Sequence, residues 1–194
     1  MRQVLPVLWM ALWFAAPSPA GAAMLYHLDQ RYGTVAFSVG ILGLFDAQGR
    51  FPRFRGDLLL DLERPERSQI DVTIDTGAVE MPTQDQTDLL RSAAYLDVVH
   101  HPSARFASSA IQPLSPTHYL IHGMLQLRGV TQPQELDATV QDRHFDEARG
   151  VEVADFVVGG EIRRSAFGMV ADRPMLSDSV RLDIRIRLEV DPTR

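Results

Sequence analysis

The sequence predicts an all-β fold, a tall antiparallel barrel of about eight strands with one short helical insertion near residues 84–97. Three observations carry that expectation. The first is the stretch 180–190, where Val180, Leu182, Ile184, Ile186, Leu188 and Val190 occupy every even position and charged residues fill almost every odd one. Side chains alternate faces along a strand, so this order gives one aliphatic face and one solvated face. A helix would scatter the same residues around its circumference. The second is the recurrence of strand-like runs separated by short turns, which reads as a meander. The third is their length. Several span ten to fourteen residues, about 35–45 Å at strand rise, which is long for a sandwich and natural for a barrel.

The elements follow in chain order. Residues 1–22 stand apart: Arg2, an apolar run over 4–16, the break at Pro17-Ser18-Pro19 and the small residues Ala20-Gly21-Ala22 have the pattern of a cleaved secretory signal. The mature chain is then expected to start near Ala23 as a single domain over 23–194. Strands are expected over 24–28, 34–39, 51–62 and 70–75. Gly40, Gly43 and Gly49 mark bends or bulges, and Pro65 and Gly77 end runs. Thr83-Gln84-Asp85-Gln86 matches a capping box, with Thr83 as N-cap. Asp85 and Asp88 lie in the first turn and Arg91 near the end, as a helix dipole favours. His100-His101-Pro102 stops the helix. Strands resume over 104–111, 118–127, 135–145, 151–162 and 177–190.

Composition narrows the function classes. The chain has 194 residues, 45% hydrophobic and 23% charged, with no cysteine, so the core holds the fold without disulfides. Loss of residues 1–22 removes Arg2 and no acid, taking the net charge from −6 to about −7. Such a balance disfavours nucleic acid and anionic lipid surfaces as partners. Among the six histidines, His118 and His122 share a face but stand about 13 Å apart at strand rise, too far to share a metal. No Gly-x-Ser-x-Gly elbow occurs, and neither catalysis nor a metal is expected. An outer-membrane barrel would need aromatic girdles. Trp9 and Trp13 leave with the signal and four tyrosines remain, so stable membrane insertion is not expected. A barrel that serves as a scaffold for protein partners stays open.

Further residues carry a family resemblance. Phe37-Ser38-Val39, Gly49-Arg50-Phe51 and Phe54-Arg55-Gly56 resemble the opening of the YceI-like family. Asp85, Leu89-Leu90-Arg91-Ser92, Tyr95-Leu96-Asp97-Val98 and His101-Pro102-Ser103-Ala104-Arg105-Phe106 are similar to its most distinctive stretch. Leu127-Arg128-Gly129-Val130-Thr131-Gln132-Pro133 and Ile162-Arg163-Arg164-Ser165-Ala166-Phe167-Gly168-Met169 match later landmarks. The resemblance implies an extended, lipocalin-like eight-stranded barrel, exported to the periplasm, that holds an isoprenoid or similar long amphiphile. No other cofactor is implied. The candidate ligand-binding residues are Phe37, Val39, Ile41, Leu58, Leu60, Ile162, Phe167, Ile184 and Ile186, with Asp85 and Arg91 weighed between capping and head-group contact. Whether the interior is open or filled is undecided at this level, as is a homodimer. Gly40 and Ile41 stand where many family members carry a basic residue and a histidine, and Gln84-Asp85 where Arg-Asp is usual. A pyrophosphate head would therefore find fewer partners here than a neutral quinone or amide.

Overall fold

The computed structural model of the protein describes residues 24–28, 30–61 and 64–190. The segment 1–22, Leu62 and the last four residues lie outside the described residues. Ten antiparallel strands form one sheet: β1 (Met24–His27), β2 (Gly33–Ile41), β3 (Phe45–Phe51), β4 (Phe54–Leu60), β5 (Gln69–Asp75), β6 (Ser103–Ser115), β7 (His118–Leu127), β8 (Val130–Asp146), β9 (Val151–Arg163) and β10 (Leu176–Val190). Their order is β1-β4-β5-β6-β7-β8-β9-β10-β2-β3. The sheet curls into a half-barrel around an apolar interior.

The antiparallel all-β architecture agrees with the sequence-based expectation, but the eight strands expected are corrected to ten. The glycine-punctuated segment after β2 is a strand, not a bend, because Leu42 and Gly43 take positive φ (50° and 68°) and reverse the chain into a hairpin. The run expected over 51–62 is cut at Pro52-Arg53, where proline offers no N–H to continue a ladder. Among the described residues no backbone ladder joins β1 to β3, so the closed barrel is corrected as well. Side chains bridge the seam instead. Tyr26, Leu28, Phe54 and Leu58 pack against Val35 and Leu188 from the other flank of the sheet.

In β10 the alternation is obeyed from 181 to 188. Leu182, Ile184, Ile186 and Leu188 face the interior, while Arg181, Asp183, Arg185 and Arg187 are exposed. Arg187 donates to Asp155 of β9 at 2.7 and 2.8 Å, and Arg181 reaches Asp46 of β3 at 3.3 Å. The register carries the inner parity across neighbours: Leu182 stands opposite Phe37, and Ile184 opposite both Val35 and Val158.

The helix is α1 (Gln84–Arg91), shorter than the insertion expected over 84–97; hydrogen-bonded turns continue to His101. The Thr83 hydroxyl accepts from the Gln86 amide at 3.3 Å, as the capping motif requires. Buried Thr87 completes the start by donating to the Thr83 carbonyl at 3.0 Å and accepting from the Met81 amide at 3.1 Å. One end of the half-barrel is thus covered by the insertion, and Val79, Leu96, Phe106, Leu127, Phe167 and Met169 form a dense core beneath it. The β7–β8 turn pins that cover. Arg128 and Gly129 both have positive φ (51° and 75°), as a two-residue hairpin demands. Arg128 then donates to the Gly168 and Ala93 carbonyls.

Adjacent residues of β10 should respond oppositely to truncation. Leu188→Ala is expected to cost about 2–5 kcal/mol, and Arg187→Ala far less because its ion pair is exposed. Urea denaturation of both variants checks this; equal losses would contradict the assigned faces.

Candidate functional site: an apolar cavity inside the sheet

The inner faces of the strands leave a cavity of about 270 Å³. Parity builds its walls. Leu58 and Leu60 enter from β4, Ile70 and Val72 from β5, and Phe156 and Val158 from β9. From β10 come Val180, Leu182, Ile184, Ile186 and Leu188, and from β2 Val35, Phe37 and Val39. Gly49 has no side chain where Phe37 and Met81 already crowd, so the Phe37 ring approaches β3 closely and tilts against Phe51 at 5.3 Å.

Seven of the eleven residues singled out in the sequence line this cavity: Phe37, Val39, Leu58, Leu60, Ile162, Ile184 and Ile186. Four do not. Ile41 ends β2 beside the hairpin turn, past the cavity's reach, opposite Phe45 and Leu176. Phe167 is buried in the core under the insertion. Asp85 is exposed on the first turn of α1. Arg91 points to the chain before the helix, donating to the Val79 carbonyl at 3.1 Å and standing 3.9 Å from Asp88.

Polar groups in the wall are few. At the covered end, Arg164 is 3% exposed, and its guanidinium donates to four carbonyls: Ser177 (2.8 Å), Met169 (2.9 Å), Ala171 (2.7 Å) and Leu176 (3.1 Å). It gathers the 168–177 loop around itself. Sequence reasoning treated Arg164 only as a landmark, yet the parity of β9 held the signal. Ile162 faces inward, Arg163 outward, and the next residue must turn in again. Next to it, Tyr95 is 6% exposed and donates to Asp172. Burial, with the Asp172 carboxylate beside it, pushes the Tyr95 hydroxyl up to about 12. Ser165 and Arg173 hold Asp178 below the usual carboxylate range, fixing the same loop to β10. Toward the other end, buried Asp61 accepts from the Arg64 amide at 2.9 Å, and its own amide donates to Ser68 at 2.9 Å. His118 and His122 stand on the outer surface, the first against Asp137 (2.6 Å) and the second against Glu135 (3.1 Å).

Fold and cavity together define an all-β protein with an apolar hollow at its centre. The chain belongs to the YceI-like family, whose domain matches residues 26–188. A UPF0312 protein of Pectobacterium carotovorum is 30% identical over 172 residues, covering 89% of this chain and 88% of that relative. BcnA of Burkholderia cenocepacia shares the fold with a TM-score of 0.74 at 21% identity, over 82% of this chain and 98% of that one. A polyisoprenoid binding domain from Saccharophagus degradans, implicated in plant cell wall breakdown, follows at 0.61 and 14% identity, over 85% and 98%.

Two tests follow from these positions. Arg91→Ala should lower stability by about 1 kcal/mol through its lost carbonyl bond, while Asp85→Ala changes it by less than about 0.5 kcal/mol. Calorimetry measures both. Tyr95 should ionise late. Its pKa is raised in the folded chain, so its contribution to stability is intact below about pH 10 and is lost as pH rises toward 12. A tyrosinate absorbance titration compared with Tyr95→Phe reads this directly, and a normal midpoint for Tyr95 would contradict the buried placement.

Proposed function

We propose that the protein is a non-enzymatic carrier, exported to the periplasm, that holds the tail of an isoprenoid, isoprenoid quinone or similar long amphiphile in its cavity. The observation that carries this reading is the wall itself, aliphatic and aromatic on nearly every contributing strand. Membership of the YceI-like family supports it, as does the shared fold of a neighbour described as a polyisoprenoid binding domain. The leader-like pattern of residues 1–22 supports export.

Energetics assign affinity to the tail. Each buried methylene contributes about 0.8 kcal/mol, so three or four isoprene units outweigh the few hydrogen bonds a head could form. The wall's polar groups are already engaged. Arg164 is held by four carbonyls and Asp61 by Arg64 and Ser68. Selectivity among heads is therefore modest, and neutral quinones or long amides suit the site better than pyrophosphates. The inward turn of the apolar faces favours this reading over an outer-membrane barrel, which turns its apolar face to lipid.

Native mass spectrometry with lipid extraction, on protein recovered from its own periplasm, tests the reading. A bound amphiphile of long apolar tail is expected. Ile184→Asp, placed at mid-wall, should lower its occupancy at least tenfold while circular dichroism stays unchanged. Protein that is empty and also fails to take up quinones, prenyl lipids and fatty amides would overturn the carrier reading.

A further inference from the structure

The two ends of the half-barrel differ in surface chemistry. At the end that Arg164 and the insertion cover, the β2–β3 hairpin tip reads Leu42-Gly43-Leu44-Phe45, and its three large residues are 63%, 75% and 70% exposed. Turn chemistry favours Asn, Asp or Gly where φ is positive, yet a leucine takes φ 50° here and leaves its side chain in water. Beside the tip, the Leu42 amide donates to the Met175 carbonyl at 2.8 Å. Met175 and Val170, in the loop that Arg164 gathers, are 51% and 57% exposed. At the opposite end, the β8–β9 turn mixes the exposed Phe145 with Asp146, Glu147 and Arg149, and the exposed Leu25 and Leu114 stand on other strands.

We propose that the apolar end docks on a lipid bilayer, with the hairpin tip and the 168–175 loop seated at the boundary between head groups and acyl chains. This deepens the carrier reading and rests on it, because a bilayer is where an amphiphile with such a tail resides.

Three observations select a bilayer over a protein surface. The first is shape. The tip is a projecting turn with large apolar residues around it, and a fluid interface accommodates such a wedge, whereas a protein partner would need a matching pocket. The second is charge. Beside the tip and the loop the acids are engaged within the protein: Asp46 with Arg181 (3.3 Å), Asp172 with Tyr95, and Asp178 with Ser165 (2.7 Å) and Arg173. No row of unpaired carboxylates meets the head groups, and no basic cluster calls for anionic lipid, so zwitterionic bilayers suffice. The third is continuity. Met169 and Leu176 line the cavity, while their chain neighbours Val170 and Met175 face outward. The loop thus turns one side to the hollow and the other to the docking face.

Co-sedimentation with phosphatidylcholine vesicles tests the docking, using the purified protein and a Leu44→Asp/Phe45→Asp variant. Both positions are exposed, so the melting temperature should be unchanged. The protein is expected to sediment with vesicles even at high salt, and the variant to lose at least tenfold in partitioning while its uptake of detergent-dispersed quinone stays the same. Vesicle binding lost in the variant, with neither form taking up any amphiphile, would support the docking face and sink the carrier reading alone. Absent or equal vesicle binding for both forms would overturn the docking proposal. So would a concentration-dependent dimer that the variant abolishes without vesicle binding, which would assign the face to a second copy.

Discussion

Every even residue of β10 from 182 to 188 gives its side chain to the interior and every odd one to water, and the antiparallel register passes that separation to β9 and β2. The rest of the structure depends on this partition. Because side-chain direction has a period of two, a one-residue slip in β10 would carry four arginine and aspartate side chains into the hollow and four aliphatic ones into water. The outer ion pairs with Asp155 and Asp46 are exposed and contribute little energy individually. Their value is in register, since they are satisfied in only one alignment.

The hollow has a cost. Side chains lining a hollow of about 270 Å³ have fewer packing partners than those of a filled core. A chain without disulfides must offset that elsewhere. Long ladders do part of the work, with β8 running for 17 residues and β10 for 15. The dense core under the insertion does the rest, where Phe167 and Val79 are almost wholly shielded. The molecule is thus packed tightly at its covered end and loosely along its axis, the arrangement a protein needs if a ligand is to complete its interior. Bound ligand would in turn raise stability by mass action.

Arg164 makes the covered end possible. A buried guanidinium without hydrogen-bond acceptors would be prohibitively expensive, yet two carbonyls of the loop and two at the start of β10 converge on it. The same contacts that solvate the cation fold the loop. Ser165 and Asp178 then tie the loop to β10, and Arg128 ties it to the insertion through Gly168 and Ala93. Three local hydrogen-bond sets therefore act as one closure, and the apolar hairpin tip is carried on its rim through the Leu42 amide.

Local pattern determined which faces are wet and dry, the antiparallel class, the capped start of the helix at Thr83, and the cavity-lining parity of Leu58, Leu60, Ile184 and Ile186. These were legible because each depends on neighbours a few residues away, through strand alternation or a single cap. Strand count was not legible. Whether Gly40, Gly43 and Gly49 make bulges or a hairpin depends on Phe45 to Phe51 finding β2 as a partner, and the break at Pro52 is decided by the edge the strand lies on. The separation of Ile41 and Phe167 from the cavity, the turn of Arg91 toward Val79, and the burial of Arg164 likewise came from tertiary structure alone. Each is a contact between segments distant in the chain. A sequence names the groups that need partners, and only the closed fold assigns them.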